Sequence, residues 1–176
     1  VGHVCYDLVQ EGKRPGGAAT YAALTASRLG ATVRVVTAIG PDLDPVALLP
    51  GVDIHHHLSA CTTTFRNVYD GTAREQVLIS WAGPIPAIPP RWQQSDIIFL
   101  GPIAQEVPVE CVHLFQDSLL GISPQGWLRR WDERGRVQPC RWKDAGMALG
   151  RADAVVLSLA DLGNDERLLA DYAQQA

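Results

Sequence analysis

Residues 12–40, GKRPGGAATYAALTASRLGATVRVVTAIG, constrain the fold more than any other part of the sequence. Two adjacent glycines, Gly16 and Gly17, open an alanine-rich segment whose alanines recur at helical spacing, and a Leu-Gly pair ends it. Strand-like residues 1–9 precede this helix, and a second apolar run, residues 32–39, follows it. A strand, a helix and a second strand in this order predict a βαβ unit with a parallel pair of strands.

The diglycine defines a candidate ligand site, because a strand followed by bare backbone and a helix leaves free N–H groups at the strand's carboxyl edge. Asp7 lies near the end of the first strand, at that same edge. One interpretation is structural: Gly16 and Gly17 form a tight turn with a close helix–sheet contact. The other is functional: a polar ligand approaches the backbone, and Asp7 accepts hydrogen bonds from its hydroxyls. The pattern is neither a P-loop nor the dinucleotide-binding glycine motif, and it leaves both interpretations open.

Later segments predict that this opening unit belongs to a larger sheet. Apolar runs typical of buried strands recur in DIIFLGPI, SLLGISP and ADAVVLSL. Residues 107–115 are predicted to be helical, and a further helix is predicted from about Asn164, where Asn and Asp suit a helix start. Strands that alternate with helices predict an α/β fold with a doubly wound, mostly parallel sheet.

Residues 52–81 have a different character and predict a small antiparallel β lid. Three β-rich runs, VDIHHHL, TTTFRNVY and AREQVLISW, lie here, and the last two flank Asp70-Gly71, a strong hairpin turn signal. A proline-rich connector then returns the chain to the main body. The predicted domains are therefore an α/β core of residues 1–51 and 82–176 and a lid of residues 52–81.

Composition and local patterns argue against several classes of partner. The net charge of −4 disfavours nucleic acid, and in GWLRRWDERGRVQPCRWK the acids Asp132 and Glu133 dilute the charge, so a solvated face is favoured. His55 and His57 share a strand face but have no acidic or Cys partner at a telling spacing, which favours a solvated strand over a metal site. Four cysteines without a C-x-x-C pair indicate a reduced, cytoplasmic protein, and no apolar run is long enough to cross a bilayer.

Taken together, these segments resemble the ribokinase-like (PfkB-type) carbohydrate kinase family. GHVCYDLV resembles the family's first strand, and PGGAATYAALTASRLGATVRVVTAIGPD resembles its Gly-Gly signature with the helix, second strand and Gly-x-Asp turn. TTTFRNVYDGTAREQ falls where the family has lid strands, and DIIFLGPI and ADAVVLSLADL fall at later sheet strands. The resemblance covers essentially the whole chain, and the Gly-Gly signature is its most specific part.

The resemblance implies transfer of the γ-phosphoryl group of ATP, with Mg²⁺, to a hydroxyl of a sugar, nucleoside or related small alcohol. The substrate-binding residues that it implies are Asp7, Gly16, Gly17, Tyr21, Thr64, Gly101 and Pro102. Tyr21 stands where the family usually has Asn, and its ring could stack on a substrate ring. A lid over this site would exclude water from the reaction.

The donor side is less completely represented in the sequence. The family's Asn-x-x-Glu motif aligns with SLAD, which implies cofactor-binding roles for Ser158 and Asp161, with Asp161 contacting the metal through water. The Gly-Ala-Gly-Asp signature, which carries the catalytic Asp, is expected beyond Ala176. These residues by themselves are therefore expected to be inactive and to describe the acceptor half of a kinase.

Two other readings of the sequence stay open. Tyr21 and the altered Asn-x-x-Glu motif also suit a non-catalytic protein that keeps the kinase fold and binds a sugar or a partner. A regulatory nucleotide-binding domain of Rossmann type is disfavoured by the missing glycine fingerprint. The exposed edges of a β lid also predict a homodimer through the lid.

Overall fold

The structure is a computed structural model that describes residues 1–70 and 73–175. Within these ranges, only the backbone is described for residues 69, 70, 73 and 74. The strands are β1 (Cys5–Val9), β2 (Gly12–Gly16), β3 (Arg34–Ile39), β4 (Asp53–Leu58), β5 (Thr64–Asp70), β6 (Ala73–Ser80), β7 (Ile97–Leu100), β8 (Leu119–Ile122), β9 (Arg129–Trp131), β10 (Val137–Pro139) and β11 (Ala154–Val155). The helices are α1 (Ala18–Arg28), α2 (Pro45–Leu48), α3 (Ala145–Leu149) and α4 (Glu166–Ala173).

A parallel sheet forms the centre of the molecule. β3 pairs in parallel with β4, and β8 pairs in parallel with both β7 and β11. Residues 1–4 join these two groups, because the Gly2 amide donates to Val36 of β3 at 3.1 Å and the Gly101 amide donates to Val1 at 2.9 Å. The spatial order is therefore β4, β3, residues 1–4, β7, β8, β11.

This order contains a reversal that creates a crevice. From residues 1–4 the chain builds outward through β3 to β4, and it then returns to the other side of residues 1–4 to build β7, β8 and β11. In open α/β sheets, ligands bind outside the carboxyl ends of the strands at the point where the strand order reverses. That point lies here between residues 1–4 and β7, and we call it the crevice.

A second sheet rises directly from the crevice. β1 continues from residues 1–4, pairs antiparallel with β2 and parallel with β5, and β5 pairs antiparallel with β6. We call this arrangement, β2-β1-β5-β6, the lid sheet. One face of it is apolar near its base, where Phe65 and Leu78 pack against the loop that follows β7. The lid sheet is therefore fixed to the central sheet on the crevice side.

The predicted fold class is confirmed: a mixed α/β fold with a mostly parallel central sheet and a small, mainly antiparallel sheet. The antiparallel pairing predicted for the first lid strand is wrong, since β4 pairs in parallel with β3 in the central sheet. Its side chains are exposed or partly exposed throughout, a pattern that a sheet-edge strand shares with a lid strand. The division into core and lid domains stays a prediction, as does the dimer contact through the lid.

Other elements differ in extent from the sequence predictions. β2 was not predicted, because GKRPG carries two glycines and a proline; it forms as an edge strand, where proline is tolerated. The predicted helix at 107–115 is a 3-10 segment, Val109–Leu114, whereas α4 begins after an Asp165 cap as expected. The strands beside the Asp70-Gly71 turn pair antiparallel, but Gly71 itself lies outside the described residues. No helix in the described part is long and apolar enough to cross a membrane.

Candidate functional site

The Asp7 carboxylate lies directly against Gly16. Antiparallel pairing of β1 with β2 sets Cys5 opposite Gly16, and Asp7 is two residues further along the same strand face. A Cβ atom at Gly16 would lie 2.6 Å from Asp7 Oδ2 and 3.1 Å from Cys5 Sγ. Gly16 therefore lacks a side chain where the carboxylate needs the space. Burial, together with the negative charges of Asp7 and Glu106, raises the pKa of the Cys5 thiol, so the thiol stays protonated.

Gly17 has a different reason to be glycine. Its φ of 97° lies in the region that side-chain-bearing residues rarely adopt, and a Cβ atom would lie 2.4 Å from the His3 carbonyl oxygen. Gly17 is the N-cap of α1, and the Thr20 side chain donates to the Gly16 carbonyl at 2.7 Å. The structural interpretation of the diglycine thus applies to both residues: Gly17 has a backbone conformation that favours glycine, and the Asp7 carboxylate and the Cys5 sulfur occupy the position that a Gly16 side chain would take. Contact of either glycine with a ligand stays a prediction.

Two amides extend the site across the lid sheet. Asn67 Nδ2 donates to Asp7 Oδ1 at 3.2 Å, and Gln76 Nε2 donates to Asn67 Oδ1 at 3.0 Å. We call Asp7, Asn67 and Gln76 the polar row. It crosses β1, β5 and β6 on the same face as buried Phe65, further from the central sheet. Sequence reasoning did not find Asn67 or Gln76; the available signal was that Asn67 lies two residues after Phe65 in a β-rich run and therefore shares its strand face.

An arginine that sequence reasoning also missed lies beside this face. The Arg129 guanidinium is 5.9 Å from the centre of the Phe65 ring, and its Nη2 atom lies 3.7 Å from Asp161 Oδ1. Gln125 Nε2 donates to the same Asp161 oxygen at 3.1 Å, and the Ser158 amide and hydroxyl donate to Oδ2 at 3.1 and 2.7 Å. The two residues predicted to bind a cofactor, Ser158 and Asp161, are therefore in contact with each other.

The Asp161 contacts bear on the predicted metal role. The Asp161 side chain is only 10% exposed, and both of its oxygens accept hydrogen bonds from protein donors. Ser158 and Asp161 form a capping box at the start of a 3-10 segment, Leu159–Leu162. The predicted contact of Asp161 with a metal through water stays a prediction. In the described ranges, no group of three or more His, Cys, Asp and Glu side chains could hold a metal ion.

Gly101 and Pro102 form part of the crevice floor. A Cβ atom at Gly101 would lie 2.7 Å from Phe99 Cε1 and 3.0 Å from Ala18 Cβ, so bare backbone allows the start of α1 to approach β7 closely. The Pro102 carbonyl accepts a hydrogen bond from the Gly126 amide at 2.7 Å, which ties together the loops that follow β7 and β8. Both residues lie at the carboxyl edge of the sheet, as predicted; their contact with a substrate stays a prediction.

Tyr21 and Thr64 occupy different environments. Tyr21 is 58% exposed, and its hydroxyl donates to the Pro15 carbonyl at 3.0 Å, which holds the ring beside the edge strand β2. Thr64 is buried, and its hydroxyl donates to the Thr62 carbonyl at 3.1 Å. The Thr64 hydroxyl is therefore already engaged within the protein. No contact in the structure tests the predicted substrate roles of these two residues.

A buried carboxylate, that of Glu106, holds together the two segments that border the crevice. Glu106 is fully buried and accepts hydrogen bonds from the amides of His3 at 2.9 Å, Ile103 at 3.0 Å and Ala104 at 2.7 Å. His3 is also fully buried, with its Nδ1 atom 2.8 Å from the Thr63 hydroxyl, and burial lowers its pKa, which favours the neutral ring. These bonds fasten residues 1–4 to the loop after β7 and to the lid sheet.

Several solved structures with a similar architecture are described as kinases. A pyrophosphate-dependent kinase in the ribokinase family, solved with sulfate, aligns over 99% of this chain and 69% of its own, with 22% identity and a TM-score of 0.81. A pyrophosphate-dependent kinase in the ribokinase family, complexed with a pyrophosphate analogue and myo-inositol, aligns over 99% and 68%, with 21% identity and a TM-score of 0.81. Fructokinase from Halothermothrix orenii aligns over 99% and 74%, with 15% identity and a TM-score of 0.68.

The fold of this chain is therefore ribokinase-like, which confirms the fold implied by the sequence resemblance. The chain spans about two thirds of the length of the pyrophosphate-dependent kinases. No protein-family model and no curated protein sequence matches it.

Proposed function

We propose that this protein, in its full natural length, transfers a phosphoryl group to a hydroxyl of a small polyhydroxylated acceptor such as a sugar or cyclitol. One observation carries the proposal: the Asp7 carboxylate lies against side-chain-free Gly16 beside the reversal point of a parallel sheet. A carboxylate binds hydroxyl groups through charge-assisted hydrogen bonds, and the absence of a side chain at Gly16 leaves room for this carboxylate. The similarity to ribokinase-family kinases supports the reaction type.

In this proposal the described residues bind and position the acceptor. Asp7 accepts hydrogen bonds from its hydroxyls, and Gly16 gives the carboxylate room, since a side chain there would displace it. Gly101 and Pro102 shape the floor, exposed Tyr21 borders the entrance, buried Thr64 lies below the acceptor, and the lid sheet excludes water from the transferring group. Holding the acceptor in one orientation lowers the barrier to phosphoryl transfer, because most of the catalysis in this chemistry is positioning and charge stabilisation.

The proposed donor is ATP with Mg²⁺, as the sequence resemblance implies. Of the described residues, Ser158 and Asp161 are the proposed contacts on the donor side, in competition with the capping box that they form with each other. Pyrophosphate is a second candidate donor. It is supported by TM-scores of 0.81 with two structures of pyrophosphate-dependent kinases, against 0.68 with the fructokinase.

The test is a turnover screen of the full-length protein. ATP and pyrophosphate, each with Mg²⁺, are paired with D-fructose, D-ribose and myo-inositol, and phosphorylated products are measured by ³¹P NMR. For the best pair, Asp7→Asn is expected to lower kcat/KM about 10- to 100-fold, since it replaces a charged acceptor of hydrogen bonds by a neutral amide. Asp117→Asn, an exposed acid, serves as the matched control and is expected to have no effect.

Four outcomes are informative. Turnover with ATP alone supports the leading donor, and turnover with pyrophosphate alone supports the second. Acceptor binding in calorimetry without turnover under any donor would support the non-catalytic binding protein instead. Neither binding nor turnover would contradict the proposal.

A further inference from the structure

A second hairpin contacts the lid sheet through its turn. β9 and β10 pair antiparallel, and we call residues 129–139 the strap. The Leu78 amide of β6 donates to the Gly135 carbonyl of the strap at 2.8 Å, and Val77 forms an isolated antiparallel bridge with Arg136. One isolated bridge, rather than a ladder, allows the strap and the lid sheet to separate and rejoin without unfolding of either.

The conformation of the turn fixes the position of the Gly135 carbonyl. The Asp132 carboxylate accepts hydrogen bonds from the amides of Arg134 and Arg136, both at 2.9 Å, and the Gly135 amide donates to the Asp132 carbonyl at 2.9 Å. Gly135 has a φ of 75°, and a Cβ atom there would overlap the Leu78 carbonyl oxygen. A side chain at residue 135 is therefore incompatible with the contact between the strap and the lid sheet.

The other end of the strap reaches the residues predicted to lie on the donor side. Arg129 is the first residue of the strap, and its Nη2 atom lies 3.7 Å from Asp161 Oδ1. The same guanidinium lies 5.9 Å from the centre of the Phe65 ring in the lid sheet. In the middle of the strap, the rings of Trp131 and Trp81 have their centres 5.9 Å apart, and Trp81 directly follows β6. The strap is therefore in contact with Asp161 and with the lid sheet.

We propose that the strap couples binding of the phosphoryl donor to closure of the lid sheet over the acceptor, so that each ligand increases the affinity for the other. The inference rests on the proposed function, in which the donor lies beside Ser158 and Asp161, and deepens it by assigning a means of regulation. The donor is an anion, and its charge attracts the Arg129 guanidinium, which holds the strap in place. The strap in turn holds the lid sheet through Gly135, and contiguous contacts of this kind carry coupling between two sites.

The decisive variant removes the contact at the turn and leaves the proposed ligand contacts in place. Gly135→Ala sets a Cβ atom against the Leu78 carbonyl oxygen. Gly51→Ala is the matched control, because Gly51 has a φ of 78° and a Cβ atom there would have no other heavy atom of the described residues within 4 Å, apart from its chain neighbours. Both substitutions add a similar backbone strain, and only the first breaks the strap contact.

Amide hydrogen exchange measures the contact itself. We expect the Leu78 amide to exchange about tenfold or more faster in Gly135→Ala than in the wild type, because its acceptor is displaced, and to be unchanged in Gly51→Ala. Unchanged exchange at Leu78 in folded Gly135→Ala protein would contradict the contact and overturn the inference.

Calorimetry on the full-length protein measures the coupling. The best acceptor among D-fructose, D-ribose and myo-inositol is titrated with and without a non-transferable donor, either imidodiphosphate or adenylyl imidodiphosphate, with Mg²⁺. We expect the donor analogue to lower the acceptor Kd about fivefold or more in the wild type and in Gly51→Ala, and to leave it unchanged in Gly135→Ala. The reverse titration is expected to give the same factor, since coupling between two binding sites is reciprocal.

A second variant keeps the test decisive if Gly135→Ala does not fold. Asp132→Ala removes the exposed carboxylate that holds the turn, and it is expected to reduce the coupling without a clash. Absence of coupling in the wild type, or full coupling in a variant with faster exchange at Leu78, would overturn this inference and leave the proposed function intact. Failure of the wild type to bind or phosphorylate any acceptor would overturn the proposed function and this inference together.

Discussion

The two adjacent glycines have separate physical causes although they look equivalent in the sequence. Gly16 has no positive φ, and the nearest atom to a Cβ there is the end of the Asp7 side chain, at 2.6 Å. Gly17 has a φ of 97°, and its missing Cβ would meet the backbone carbonyl of His3 at 2.4 Å. A flexible carboxylate can move aside, but a strand backbone that is fixed in a sheet cannot. Substitution of Gly16 should therefore mainly weaken acceptor binding, whereas substitution of Gly17 should mainly lower the stability of the fold.

Gly16→Ala is expected to change the free energy of unfolding by less than about 1 kcal/mol and to weaken acceptor binding about tenfold or more, because it displaces the carboxylate. Gly17→Ala is expected to lower the free energy of unfolding by about 2 kcal/mol or more, because strained backbone and a backbone clash add. Chemical denaturation and calorimetry on both variants measure the two effects.

Gly146→Ala is a suitable control for this pair. A Cβ atom at Gly146 would meet only Gln175 Oε1, at the ordinary contact distance of 3.6 Å. It should leave acceptor binding unchanged. Equal losses of stability at Gly16 and Gly17, with no separate effect on binding, would contradict this division of roles.

The sequence identified Asp7 and the diglycine as neighbours, and it did not identify the rest of the polar row. The sequence predicted both at one strand edge, but residues 7 and 16 meet through the pairing of β1 with β2, a strand that was not predicted. Asn67 meets Asp7 only because β5 pairs with β1 across a long stretch of chain. Arg129 and Glu106 likewise reach the site through contacts between distant segments, which composition and spacing do not encode.

Among the elements, the short segment after β11 shows how a functional motif and a structural one can coincide. The S-x-x-D spacing of Ser158 and Asp161 aligned with a cofactor motif, and it also meets the requirements of a capping box. The structure contains the capping box, with reciprocal bonds between the two residues. Asp161 is further held by Gln125 and lies close to Arg129.

Ser158→Ala is expected to lower the free energy of unfolding by about 1 kcal/mol, because it removes the side-chain acceptor of the cap. Ser158→Thr keeps a hydroxyl at the same position and should retain most of that stability. Thermal or chemical denaturation of both variants measures the difference. A rise in the KM for the phosphoryl donor with unchanged stability would instead support the cofactor role that the sequence resemblance implies.

The wrong pairing that the sequence predicted for strand β4 has a physical explanation. Its sequence, DIHHHL, has no strong apolar alternation, so the sequence did not separate a lid strand from an edge strand of the central sheet. In the structure, β4 belongs to the central sheet, because it pairs in parallel with β3 along its whole length, from Arg34 opposite Asp53 to Ile39 opposite Leu58. His57 Nε2 also lies 2.8 Å from the Ala87 carbonyl oxygen, which ties β4 to the proline-rich connector.

For the molecule as a whole, the continuity of the central sheet depends on residues 1–4. These residues separate β3 from β7 and supply the position at which the strand order reverses. Gly2 permits this close packing, since a Cβ atom there would lie 2.3 Å from the Gly101 carbonyl oxygen. The crevice therefore exists only when both groups of strands are assembled on the same segment.

Amide hydrogen exchange of the full-length protein tests this continuity. The amides of Gly2 and Gly101 donate within the sheet and are expected to exchange about as slowly as the amides of β3. The exposed turn residue Glu11 is the internal reference for rapid exchange. Loop-like exchange at Gly2 and Gly101, alongside protected β3 and β7, would mean that the two groups of strands form separate sheets.

The sequence by itself determined the α/β class and the mostly parallel sheet, because these features depend on local periodicity. Only the tertiary structure decided which polar groups surround Asp7, which sheet contains β4 and that Asp161 is engaged by protein donors. Those outcomes depend on pairing between distant segments, and burial and hydrogen-bond geometry select that pairing from several that the local patterns allow.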